Sequence, residues 1–388
     1  MIKSYPNLLL ISFLLAFLSC KKDDTIPPDL FLTTQEEVNN FKLSKTPGNL
    51  TISGEYIRDL TPLRNIIHIG GSLFIRNNNM LESLDGLENL KSIDSSLYIS
   101  NNFALSNING LSGLEHVGNF ISIDTNKNLT SLIGLKKLEY YNGELVISEN
   151  PILANLEGII ITSPFSLYIS RNNKLKSICL PEHITVLKSL TISHNDSLTT
   201  LQGLENLAKI KENLTIDYNA KIESLLGLQN IKDIYGNLWI YGNANVSMLF
   251  GLNGLINIKG VFRVEHNNSL TDFKGLSNLK NIQEDFVIAH NNNLINFDGL
   301  KSLKLIGGSL YIAYNPALKS LQGLESLSTI TDEINIGGTT NLIAPNPQLT
   351  NFCSISEIII RKNNVKVSIN NNGFNPSKEE LINDNCKN

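Results

Sequence analysis

The side chains best suited to recognition or catalysis gather in one stretch of the 388-residue chain: Tyr218, Trp239, Tyr241, Arg263, Glu265, His266, His290, Tyr311 and Tyr314. Exposed Tyr, Trp and Arg are typical anchors of binding interfaces, and aromatic faces can also stack on sugar rings. His266 and His290 lack an obvious third ligand beyond Glu265, so no metal is expected there, and no cofactor. Nor is catalysis expected. The chain has no G-x-S-x-G, P-loop or H-E-x-x-H motif, and carboxylate pairs such as Asp23-Asp24 and Glu36-Glu37 lie in the tether and cap. The competing explanation is structural: aromatic residues favour strands and support one another across a sheet.

The positions of these residues are set by a repeat. Asn recurs about every 24 residues, at Asn78, Asn102, Asn126, Asn150, Asn172, Asn195, Asn219, Asn243, Asn267, Asn291 and Asn315. Around each runs L-x-I-x-x-N-x-x-L-x-x-L-x-G-L-x-x-L-x-x-I. A unit of this length cannot bury its apolar face alone, so neighbours must stack into a solenoid. Thirteen coils are expected, the first starting at Leu50 and the last at Ile334.

One coil shows the logic. Leu310 and Ile312 alternate with Tyr311 and Ala313, the period of a strand with one buried face. Asn315 follows where the chain turns. Leu318 and Leu321 point inward, and Gly323 marks a second corner, where a positive φ or close backbone approach favours glycine. The apolar column eight residues after the strand start runs from Leu81 to Leu342. The Asn column reads as an internal ladder: Asn tolerates the left-handed region, bonds backbone at turns, and can bond the next coil when stacked in register.

Recognition must then use the outward columns. The residue between the two inward strand positions runs Phe74, Tyr98, Ser122, Val146, Tyr168, Thr191, Thr215, Trp239, Arg263, Val287, Tyr311, Asn335. The residue before each Asn runs Asn77, Asn101, Thr125, Glu149, Arg171, His194, Tyr218, Gly242, His266, His290, Tyr314. With rungs about 4.8 Å apart, each column forms a contiguous stripe.

The amino terminus carries a different kind of signal. Lys3 precedes an apolar run from Leu8 to Leu18, too short to span a bilayer and suited to the core of a signal peptide. Phe17-Leu18-Ser19-Cys20 resembles the lipobox of bacterial lipoproteins, with Phe17 a looser fit than the usual Leu. The resemblance implies cleavage before Cys20 and acylation of its thiol, a durable anchor when several chains insert. Lys21-Lys22-Asp23-Asp24 resembles the surface-export signal of Bacteroidetes lipoproteins, which implies an outer-membrane protein exposed at the cell surface. Pro27-Pro28 and the preceding charges predict an extended tether.

The formal charge of the whole chain is -4, with no basic run longer than a pair such as Lys21-Lys22, so nucleic acid is not an expected partner. Of the four cysteines, Cys353 and Cys386 lie past the last clear repeat and are expected to pair. Closing that loop is worth roughly 3–4 kcal/mol in the chain-entropy model. Cys179, in the one irregular coil (residues 159–183), is expected to be a buried free thiol.

The L-x-I-x-x-N pattern with its downstream leucines is similar to leucine-rich repeats, although N-x-x-L stands where those usually read N-x-L. The G-L-x-x-L-x-x-I half resembles the receptor L-domain of insulin-receptor-type ectodomains. The implied fold is mainly β: a right-handed parallel β-helix or leucine-rich-repeat-like solenoid of about 13 coils with short helical caps. The expected organisation is a signal peptide (1–19), lipidated Cys20 and tether (20–32), an N-terminal cap (33–48), repeats (49–350) and a disulfide-bonded cap (351–388). Capping-box signals in Thr33–Phe41 and Asn375–Ile382 predict a short helix at each end, and Cys353 to Arg361 reads as a further helix. The expected function is a non-catalytic, lipid-anchored surface module that binds a protein or glycan through its outward faces. The alternative is an envelope spacer without a specific ligand.

Overall fold

The computed structural model describes residues 29–138, 141, 143–161, 164–338, 346–361 and 365–388. The signal segment, Cys20 and the tether up to residue 28 lie outside the described residues.

A parallel sheet of 15 strands runs the length of the solenoid. Its rungs include one strand for each coil from Leu50–Ile52 to Glu333–Ile336, so the thirteen coils are present as expected. A further rung lies at each end. Leu30–Leu32, placed in the tether by the sequence reading, pairs in parallel with Leu50–Ile52 and belongs to the sheet. Lys366–Ile369 pairs with Glu333–Ile336 and adds a final rung inside the C-terminal cap.

Register is strict because each strand has one buried face. Leu238↔Phe262, Trp239↔Arg263, Ile240↔Val264 and Tyr241↔Glu265 are aligned Cα partners, so inward residues stack on inward residues and a one-residue slip would expose the core. Leu238, Ile240, Phe262 and Val264 are buried, and the apolar columns form one continuous core.

The Asn ladder forms one hydrogen-bonded chain. From Asn78 to Asn315 each backbone N–H donates to the Oδ1 of the next ladder Asn at 2.9–3.1 Å. Each Nδ2 donates back to a strand carbonyl of the preceding coil, as Asn219 does to Ile192 at 2.8 Å and Asn243 to Ile216 at 2.8 Å. All eleven are 0% exposed, and the ladder pairs backbone groups that burial would otherwise leave unmet. It extends beyond those eleven. The Gly54 N–H opens it on Asn78, and Asn346 and Asn372 continue it to Asn375.

Asn346 follows Asn315 by 31 residues, a longer step than those before it. Leu342, the expected last member of the apolar column, lies outside the described residues. Leu349, three residues after Asn346 as Leu318 is after Asn315, is buried.

The turn itself also differs from expectation. The left-handed residue is the one before each Asn: Tyr218 has φ 53°, His266 58°, His290 57° and Tyr314 57°. With the backbone reversed there, the Asn side chain is free to point inward and reach its neighbours. The Gly corner behaves as the sequence suggests. Gly323 has φ 108°, and a Cβ there would lie 2.0 Å from the Phe297 carbonyl oxygen of the preceding coil.

The opposite side carries two-residue strands in a four-stranded and a seven-stranded sheet, interrupted between His116–Val117 and Val186–Leu187. The interruption contains the irregular coil, where buried Tyr141 and Phe165 lie with ring centroids 6.4 Å apart, while the main sheet passes through unbroken. Cys179 is exposed rather than buried. It stands one position before the Gly column, where Leu226 and Phe250 of later coils are exposed as well, and its Cα is only 2.6 Å from where a Cβ on Gly203 would be. The thiol faces out with the rest of its column, with Ser177 Oγ at 3.5 Å.

The ends are capped by helices. Helix α1 (Gln35–Asn40) has a full capping box, Thr34 with Glu37. Helix α2 (Cys353–Arg361) is tied by the Cys353–Cys386 disulfide to the segment after helix α3 (Lys378–Ile382). Ser377 and Glu380 form the capping box of α3, so Pro376 lies just before the cap and not within the helix.

Candidate functional site

The outward stretch singled out in the sequence resolves into two stripes. Five of its nine residues join a continuous stack of rings that begins one coil earlier, at His194. Centroid distances are 4.7 Å for His194–Tyr218, 5.1 Å for Tyr218–Tyr241, 4.9 Å for Tyr241–His266, 4.5 Å for His266–His290 and 4.6 Å for His290–Tyr314. The last two pairs are nearly parallel, at 8° and 2°. His194 belongs to the column before the ladder Asn but not to the candidate group, and its place one coil below Tyr218 is the sequence signal that points to it.

The stack has a mismatch built into it. Five of the six rings sit at the left-handed position, but the Asn243 coil has Gly242 there, φ 66°. A Cβ on Gly242 would approach the Tyr218 ring to 2.8 Å. Tyr241, one residue earlier, supplies the missing ring. Its hydroxyl is hydrogen-bonded to Tyr218, which with burial and nearby Glu265 pushes the Tyr241 phenol up to about 12.

Left-handed backbone at non-glycine residues costs about 1–2 kcal/mol each, and ring pairs return roughly 0.5–1.5 kcal/mol beyond their area burial. Stacking therefore offsets much of the strain along this row, while Thr125, Glu149 and Arg171 hold the same conformation outside it.

Trp239, Arg263 and Tyr311 do not join the stack. They occupy the neighbouring column in the register Trp239↔Arg263↔Val287↔Tyr311. Trp239 is 43% exposed. Glu265 is largely covered and lies 3.5 Å from Arg263, so the two charges answer each other. Below them Asp217 has one carboxylate oxygen buried without a hydrogen-bond partner, and burial raises its pKa against Ser193, His194 and Arg171. Burial and the His266 imidazole push the His290 pKa down.

Among the described residues, no group of three or more His, Cys, Asp or Glu is placed to hold a metal ion. A cleft of about 550 Å³ opens elsewhere, between Leu30–Leu32 and α1, and includes Glu36 and Glu37 in its lining. The Glu37 carboxylate accepts from Thr33 and Thr34 in the capping box and is held below the usual carboxylate range, the opposite of what a general acid needs. No described helix is long and apolar enough to cross a membrane.

No protein-family model matches the chain, and no curated protein does. Among solved structures, a leucine-rich repeat protein from Bacteroides ovatus ATCC 8483 is similar over 80% of this chain and 76% of that one, with 14% identity and a TM-score of 0.25. At that score the likeness carries no argument. The leucine-rich-repeat-like character of the array rests on its own parallel rungs, inward leucines and Asn ladder.

Proposed function

We propose that the chain is a lipid-anchored surface protein whose sheet face binds another macromolecule and performs no chemistry. The carrying observation is the outward face of the coils from His194 to Tyr314. Six rings form one uninterrupted row there, with Trp239 43% and Tyr218 44% exposed beside a neutralised Arg263–Glu265 pair. Exposed aromatics around a paired arginine are the composition of interface centres.

The anchoring half of the reading rests on the apolar run ending in Ser19-Cys20 and on the Lys21-Lys22-Asp23-Asp24 tract, which resemble the lipobox and the surface-export signal of Bacteroidetes lipoproteins. In this reading Cys20 carries the acyl chains and the solenoid stands outside the outer membrane.

Two experiments test it. Wild type incorporates labelled palmitate and Cys20→Ala does not; label retained in the variant removes the anchor. The mature chain is screened on protein and glycan arrays beside a Trp239→Ala/Tyr311→Ala variant. Ligands retained by the first and lost by the second support the face, whereas equal profiles leave a spacer role as the better account.

A further inference from the structure

The geometry of the stack narrows the ligand class, given the binding role proposed above. Neighbouring ring centroids are 4.5–5.1 Å apart, too close for a sugar or side chain to insert flat between them, with Tyr241 tilted 60° to Tyr218 and 49° to His266 and the other pairs stacked. What the row offers solvent is its edges: phenol hydroxyls and imidazole nitrogens, one group per coil, at steps of 4.5–5.1 Å. The step comes from strand spacing and is as regular as the sheet.

A ligand lying along the solenoid axis must match that step. An extended polypeptide advances about 3.3 Å per residue and loses register with the row within two residues. A chain of hexopyranoses joined through equatorial bonds advances by close to one rung per sugar and carries hydroxyls along both edges. Charge gives a second constraint. Arg263 is answered by Glu265, and Asp217 lies in the field of Arg171 and His194. The face therefore has no unbalanced row of cations for uronates or sulfates. Trp239 sits between Thr215 and Arg263 in register, so no ring of the adjacent rungs covers its indole, which is available to a sugar face.

We propose that the row from His194 to Tyr314, flanked by Trp239, binds a neutral linear β-1,4-linked glycan laid along the solenoid axis, with one sugar to each coil and its hydroxyls hydrogen-bonded to the ring edges. The imidazole nitrogens and the phenol hydroxyls supply the donors and acceptors.

The test uses the full mature chain in titration calorimetry and affinity electrophoresis with neutral β-1,4 gluco-, manno- and N-acetylglucosamine oligomers of increasing length, and with an α-1,4 glucan as control. Affinity in at least one β-1,4 series rises with length and levels near six sugars, one for each coil of the row. Variants that keep the rings but remove the edge groups separate binding from folding. Tyr218→Phe/Tyr314→Phe and His266→Phe/His290→Phe retain the wild-type melting temperature and weaken the hexamer tenfold or more. The proposal is overturned if no neutral β-1,4 polymer is retained, if affinity is independent of length, if the α-1,4 glucan binds equally, or if the ring-preserving variants bind as wild type. A polypeptide ligand lost in Trp239→Ala would sink the glycan assignment and leave the binding role standing.

Discussion

Tyr241 closes the gap that Gly242 leaves in the ring stack. Gly242 holds the left-handed position without a side chain, and Tyr241 reaches both Tyr218 at 5.1 Å and His266 at 4.9 Å. Two adjacent residues thus do what one does in the neighbouring coils. Replacing Tyr241 with Ala splits the row into two pieces and removes two ring contacts, an expected loss of about 1–2 kcal/mol in chemical denaturation. The phenol offers a direct readout. In an ultraviolet titration one tyrosine ionises near 12, and Tyr218→Phe brings that transition down. Because its folded pKa lies above the unfolded value of 10.0, this group's contribution to stability is complete below 10 and disappears as pH rises towards 12.

The ladder is expected to be least tolerant at its centre. Asn219→Ala removes the acceptor of the Asn195 N–H at 3.0 Å and the donor to the Ile192 carbonyl at 2.8 Å, both without access to water. A loss of roughly 2–4 kcal/mol follows from leaving such groups unpaired. Asn219→Asp keeps an acceptor but buries a charge and loses the donor, so it should be no better. Equal melting temperatures for wild type and either variant would show that the ladder does not bear on stability.

Glycines at the second corner separate two effects. Gly110 has no left-handed φ, yet a Cβ there would lie 1.8 Å from the Leu84 carbonyl oxygen; Gly323 combines φ 108° with a 2.0 Å approach to Phe297. Ala at either site is expected to destabilise by more than about 2 kcal/mol. A tolerated Gly110→Ala with a damaging Gly323→Ala would mean that dihedral strain, not the close approach, selects glycine.

Acid should loosen the stack at His290. Its folded pKa is below the unfolded 6.5, through burial and the imidazole of His266. The unfolded chain therefore binds more protons between the two values, and stability falls as pH drops from above 6.5 through the folded value. His290→Phe removes this slope while keeping a ring. Asp217 has the opposite sign. Its folded pKa is raised above the unfolded 3.8, chiefly by burial, so the stability it contributes is complete below 3.8 and is lost as pH rises through the folded value. Asp217→Asn is expected to equal or exceed wild type at pH 7 in thermal melts.

Much of this architecture was legible in the string of residues. A period of 24 and an alternation of two are one-dimensional properties, and together they set the number of coils, the inward leucines and the outward columns. The extension of the ladder was legible too, since Asn346-Pro347-Gln348-Leu349 repeats the form of Asn315-Pro316-Ala317-Leu318. A 31-residue step hid it from a search for a fixed period.

Other features depend on distances between side chains of different coils, and no period encodes those. The left-handed turn sits at Tyr218 and His290 and not at the Asn beside them, because the Asn must face inward to bond its neighbours. The candidate face changed most. Its composition was plain from the residues, but that His266, His290 and Tyr314 stack face to face while Tyr241 tilts between Tyr218 and His266 follows from side-chain rotamers on successive rungs in three dimensions.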